Sequence, residues 1–110
     1  MSYTANYSEI DPILYAWAKK HGLHVYTKYQ DDDVRSIEVV SESGKRYQIW
    51  LDAPDERKEI ALHAWDYKKR KVDVKSSLSD LDEKLEEIYT KVMSWDVGFF
   101  RTIFKSRESN

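Results

Sequence analysis

The sequence predicts an α+β domain of order α–β–β–β–β–α, a four-stranded antiparallel sheet with two helices packed on one face. Three observations predict it. Segments in the middle of the chain alternate apolar and polar residues at period two. Short turn sequences separate these segments, which favours a meander over crossover connections. Both flanks carry apolar residues at helical spacing, which supplies the second layer that a one-sided sheet must bury against.

The first helix is expected over residues 12–21. Asp11 can cap it, and Pro12 suits a first turn because its missing N–H has no partner there anyway. Ile13, Leu14, Trp17 and Ala18 share a face, widened by Tyr15 and Ala16. Lys19, Lys20 and His21 favour the negative end of the helix dipole, and Gly22 can take the left-handed stop.

Four strands follow. In residues 23–29, Leu23, Val25, Thr27 and Tyr29 alternate with His24, Tyr26 and Lys28, and the acidic run Asp31-Asp32-Asp33 breaks the segment. Residues 34–41 form the second strand, with Ile37 and Val39 inward, and Glu42-Ser43-Gly44-Lys45 turns the chain. In the third, residues 46–51, Tyr47, Ile49 and Leu51 point in, and Arg46, Gln48 and Trp50 point out. The fourth, from Ile60, places Leu62 and Ala64 inward and Ala61, His63, Trp65 and Tyr67 outward. A helix over 55–69 competes for the same residues, because Asp55 to Glu59 are good helix formers. It leaves Leu62 and Trp65 spread around the cylinder and the alternation unexplained. Val72-Asp73-Val74 extends the fourth strand or begins a connector.

Leu78, Leu81, Leu85, Ile88, Val92 and Trp95 give the clearest helical period in the chain. Ser77 and Ser79, each followed three residues later by Asp80 and Asp82, resemble loose capping boxes. Acidic residues gather near the start of this helix, where the dipole favours them. Three heptads or fewer are too short for a coiled coil, so its apolar stripe is expected to pack on the sheet. Gly98 ends or kinks it, and Phe99, Phe100, Ile103 and Phe104 form an apolar cluster in a tail or short C-terminal helix over 97–110. The whole, 1–110, is expected to be one domain.

Composition narrows the function. The net charge of −2 gives no global pull toward nucleic acid or anionic membrane. Without cysteine there is no disulfide, thiol nucleophile or thiolate metal site. The first residues lack the basic and apolar regions of a secretory signal, and no apolar run approaches the roughly 18–20 residues that span a bilayer. The expectation is a cytoplasmic protein without membrane contact. Gly22, Gly44 and Gly98 are too scattered for a phosphate-cradling loop, and no G-x-S-x-G, H-E-x-x-H or C-x-x-C occurs. His21, His24 and His63 are candidate metal ligands only if the fold gathers them, and Asp31 to Asp33 lack the glycine and later glutamate of a calcium loop. No catalytic residue, metal or cofactor is assigned, and the chain is read as a non-enzyme.

The productive feature is the outer sheet face. If helices cover the inner face, the outer one collects Tyr26, Arg46, Trp50, His63, Trp65 and Tyr67, more aromatic surface than a monomer exposes without cause. Three explanations compete. The face is a protein interface, since Trp, Tyr and Arg dominate interface hot spots, with either another protein or a second copy in a homodimer as partner. Or the phenylalanine cluster folds back over it. Or it binds single-stranded RNA or DNA, with rings stacking bases and Lys68, Lys69, Arg70 and Lys71 holding phosphates. Against the last stand the missing RNP-like motif and the acidic second helix. The make-up of a small, acidic, cysteine-free α+β chain is similar to that of bacterial immunity proteins and other small inhibitors or adaptors. That likeness of composition implies a non-enzymatic protein-binding domain as the leading expectation.

Overall fold

The computed structural model describes residues 7–29 and 32–96. Among the described residues the fold is α+β, with two helices and an antiparallel sheet of five strands. The elements are α1 (Ile10–Lys20), β1 (Val25–Tyr29), β2 (Asp32–Val40), β3 (Arg46–Leu51), β4 (Ile60–Trp65), β5 (Lys71–Ser76) and α2 (Leu81–Ser94). Spatial order equals sequence order, each strand pairing antiparallel with the next.

The fifth strand corrects the expected four. Its signal is short and interrupted: Val72 and Val74 face the helices, while Lys71, Asp73 and Lys75 stay exposed at a sheet edge. Residues 55–69 are not a helix. β4 shows strict alternation, with Ile60, Leu62 and Ala64 buried and Ala61, His63 and Trp65 half-buried.

Register explains both faces. Across the strands, Val25, Ile37, Ile49, Ala64 and Val72 form one inward row, and Leu51, Leu62 and Val74 form another. Ile10, Leu14, Trp17 and Ala18 of α1, and Leu81, Leu85, Ile88 and Val92 of α2, join these rows in one buried cluster. Burial of those side chains is the main stabilising term, at about 1.5–3 kcal/mol for each large aliphatic or aromatic one.

The helix ends differ from expectation in detail. Asp11 is not the cap of α1: Glu9 occupies that position without a side-chain bond, and Asp11 lies in the first turn. There it receives Arg35 Nε at 2.7 Å and Nη2 at 3.0 Å, a bidentate pair that ties α1 to β2. The C-terminus of α1 is as expected, with Gly22 at φ +68°. Its N–H bonds to Lys19 and that of Leu23 to Ala18, which satisfies carbonyls that the helix leaves open. At α2 only the serine half of the Ser77-x-x-Asp80 box is formed, one residue before the helix proper. Ser77 Oγ accepts the Asp80 N–H at 3.2 Å, while Asp80, at the N-cap position, makes no side-chain cap bond. Trp95 lies just past the helix, half-buried, with its ring 6.1 Å from Tyr47.

Two polar ties were not foreseen. Glu86 of α2 accepts Trp17 Nε1 at 2.9 Å and bonds His21 Nε2 at 2.6 Å, which joins the helices. Those hydrogen bonds, His21's first and Trp17's next, hold its carboxyl below the usual range against a smaller effect of burial. Asp96 is almost completely buried, and the Ser43 hydroxyl reaches both its oxygens at 2.8 and 2.9 Å, fastening the β2–β3 turn to the end of α2. β2 also carries a bulge: pairing jumps from Tyr26↔Ser36 to Lys28↔Asp33, so Val34 and Arg35 face one residue of β1. The expected phenylalanine tail lies outside the described residues.

Candidate functional site

Both helices pack on one side of the sheet, so the side chains of alternate parity project from the other. One row runs Tyr26, Ser36, Trp50, His63, Asp73 across all five strands. The next runs Glu38, Gln48, Trp65, Lys71. The structure thus brings Trp50, His63 and Trp65 together at the middle of the face, as the alternation predicts.

Their rings touch in sequence. His63 stacks on Trp50 at 4.9 Å and 22°, Trp50 meets Trp65 edge-on at 6.5 Å, and Trp65 lies 5.4 Å from Tyr67. Both tryptophans are half-buried by these contacts. Tyr67 is not part of the strand. It sits in the β4–β5 turn at φ +66°, yet its ring still reaches the cluster. Tyr26 is more peripheral, 50% exposed, and packs edge-on against His24 at 4.5 Å. Arg46 stands at the start of β3, exposed, with its guanidinium 3.9 Å from Glu38.

Polar groups fix this aromatic set. Trp65 Nε1 donates to Gln48 Oε1 at 2.9 Å, and Gln48 Nε2 donates to Ser36 Oγ at 2.9 Å. Gln48 and Ser36 are buried, so the chain satisfies groups that water reaches poorly. His63 is gripped from both sides, with Nδ1 2.6 Å from Asp73 Oδ1 and Nε2 2.9 Å from Asp52 Oδ2. The His63 hydrogen bond holds the Asp73 carboxyl below its usual range, outweighing desolvation, and Lys71 adds to the effect.

A groove of about 570 Å³ opens on this face. Val34, Trp50 and Trp65 form its apolar walls, and the Ser36–Gln48 pair its floor. Lys68, Lys69 and Lys71 form its rim. The turn that carries two of these lysines is rigid for a local reason. Asp66 Oδ1 accepts the N–H groups of Lys68, Lys69 and Arg70 at 2.8, 2.9 and 3.1 Å, and the Asp66 N–H closes onto the Arg70 carbonyl. Burial opposes ionisation of Asp66, but these amides together hold its carboxyl below the usual range. Arg70 points to a different hollow, behind the turn, with Lys45, Arg46 and Tyr47. The basic run therefore divides, and only part of it borders the aromatic groove.

Reasoning from sequence missed Ser36, Asp52 and Asp73. Ser36 has outward parity, but its place beside Trp50 depends on register. Asp73 becomes a partner of His63 only once β5 is recognised. The three histidines are not gathered: His21 bonds Glu86, His24 packs on Tyr26, and His63 lies between two aspartates. Among the described residues no group of three or more His, Asp or Glu is placed to hold a metal ion, and no helix is long and apolar enough to cross a membrane. Comparison with protein-family models, curated proteins and solved structures finds no match.

Proposed function

We propose that the chain is a non-enzymatic protein-binding domain, of the inhibitor or adaptor kind, that works through the helix-free face of its sheet. The observation that carries this reading is the Trp50–Trp65 groove, whose walls and floor are fixed before any partner arrives. Large rings held in one geometry lose little conformational freedom on binding and bury much area, which is why such residues dominate interface energetics. Tyr26 and Arg46 extend the same face toward its margins and supply the polar rim that interfaces carry.

A site-specific crosslinker tests the reading. Benzoylphenylalanine in place of Tyr26 is expected to give a discrete protein adduct in the producing cells. Trp65→Ala should abolish that adduct while circular dichroism stays native. The same crosslinker at Thr90, on the exposed side of α2, should give none. An adduct indifferent to Trp65, or none from the sheet face, overturns the proposal. Light scattering on the purified protein separates the two kinds of partner: a dimer that becomes monomeric with Trp50→Ala identifies a second copy.

The lysine rim beside the indoles favours a second reading, single-stranded nucleic acid, with bases on the rings and phosphates at Lys68, Lys69 and Lys71. Binding of an oligonucleotide that weakens steeply with salt and disappears with neutral replacements of these lysines would support it.

A further inference from the structure

We propose that the groove receives an acidic protein segment, which places one aromatic side chain against Trp50 and Trp65 and its carboxylates against Lys68, Lys69 and Lys71. This rests on the reading above and names the chemistry of the partner.

The walls and floor select the anchor. At the bottom, Gln48 is engaged by both Ser36 and Trp65, and both floor residues are buried. A polar anchor would have to share these recessed groups, whereas a ring meets two indoles and Val34. The rim selects the charge. Lys68 and Lys69 form no ion pair among the described residues, and Lys71 acts on Asp73 only as a nearby charge, without a close ion pair. Two of the three are held on the Asp66 turn. Cations gathered on one side of an apolar slot match carboxylates that follow an aromatic residue in sequence.

Charge also bears on the alternatives. The groove set against itself in a two-fold dimer would bring lysines onto lysines. The chain's own acidic surface, at Glu83, Glu86 and Glu87, lies on α2 across the sheet. Docking it into the groove of another copy would be head-to-tail, which builds a ring or an open filament rather than a two-fold dimer. A polyphosphate strand crossing the face would meet Asp52 and Asp73 beside His63, and Glu38 beside Gln48. An acidic peptide can present its charges at the turn end alone.

Nuclear magnetic resonance of the labelled full chain tests this. The probe is a short capped peptide of glutamates around a central phenylalanine. Controls replace phenylalanine by alanine, replace glutamates by lysines, or use a short oligothymidylate. The glutamate–phenylalanine peptide should give saturable shifts at the indole N–H of Trp50 and Trp65 and at the amides of residues 68–71. The alanine control should bind about tenfold more weakly, the order expected for losing one buried ring. Joint Lys68→Glu, Lys69→Glu and Lys71→Glu should abolish binding of the acidic peptide and admit the lysine peptide. No saturable shift at millimolar peptide, equal binding of the alanine or lysine control, or tighter binding of oligothymidylate overturns the inference. If the Tyr26 adduct persists while the peptide fails, the protein-binding reading stands and only this partner chemistry falls.

Discussion

His63 shows how much one side chain organises here. It stacks on Trp50 and bonds two aspartates from different strands or their ends, so it couples ring position to charge. His63→Ala is expected to cost about 1 kcal/mol in urea unfolding, less than a buried charged bond because both aspartates are more than half exposed. It should also broaden the Trp50 indole resonance. The pH dependence has a definite sign. Asp73 has a folded pKa below the unfolded value of 3.8, so its contribution is present above that value and is lost as pH falls through the folded one. The stability difference between the protein and Asp73→Asn should therefore shrink as pH drops below 3.8. A difference that grows on acidification would contradict the assignment. Gln48 is the other organising residue. Gln48→Leu strands the Trp65 N–H and the Ser36 hydroxyl and should cost about 1–3 kcal/mol, measured by thermal or urea unfolding.

Among the elements, the turns around β4 carry the local strain. Lys58 adopts φ +63° in the turn before it, and Tyr67 φ +66° in the turn after. Asp55 holds the first, accepting the N–H groups of Arg57 and Glu59 at 2.9 Å each. Asp66 holds the second. Lys58 is exposed, so Lys58→Gly should raise the unfolding free energy by about 0.5–1 kcal/mol through relief of the left-handed conformation. Asp66→Ala should speed hydrogen exchange of the residue 68–70 amides while those of β4 stay protected. Alternation made β3 and β4 legible from sequence because Tyr47, Ile49, Leu51, Ile60, Leu62 and Ala64 all keep inward parity. β5 was harder because its outward positions are Lys71, Asp73 and Lys75, which read as a solvated run. The start of α1 departs from the local pattern for a different reason: Asp11 has a better partner in Arg35, a contact between residues distant in sequence. No local pattern announces that.

At the scale of the whole molecule, charge and aromatic surface are segregated. Acidic side chains crowd the outer side of α2, whereas cations cluster where β4 turns into β5. The aromatic face was legible as a list of residues, because parity alone assigns Trp50, His63 and Trp65 to one side. The groove was not, because it requires the register that sets Ser36 beside Trp50 and the turn geometry that brings Lys68 and Lys69 to its rim. Trp50→Ala and Trp65→Ala are each expected to leave the core rows intact and to cost less stability than Leu62→Ala. That core deletion should cost about 2–5 kcal/mol by chemical denaturation.

Sequential pairing of the strands has a consequence for how the chain reaches this state. Every rung of the ladder joins neighbours along the polypeptide, so no long loop must close before the next hairpin can zip. Refolding from denaturant should consequently run faster than for β-sandwiches of similar size, whose partners lie far apart along the chain.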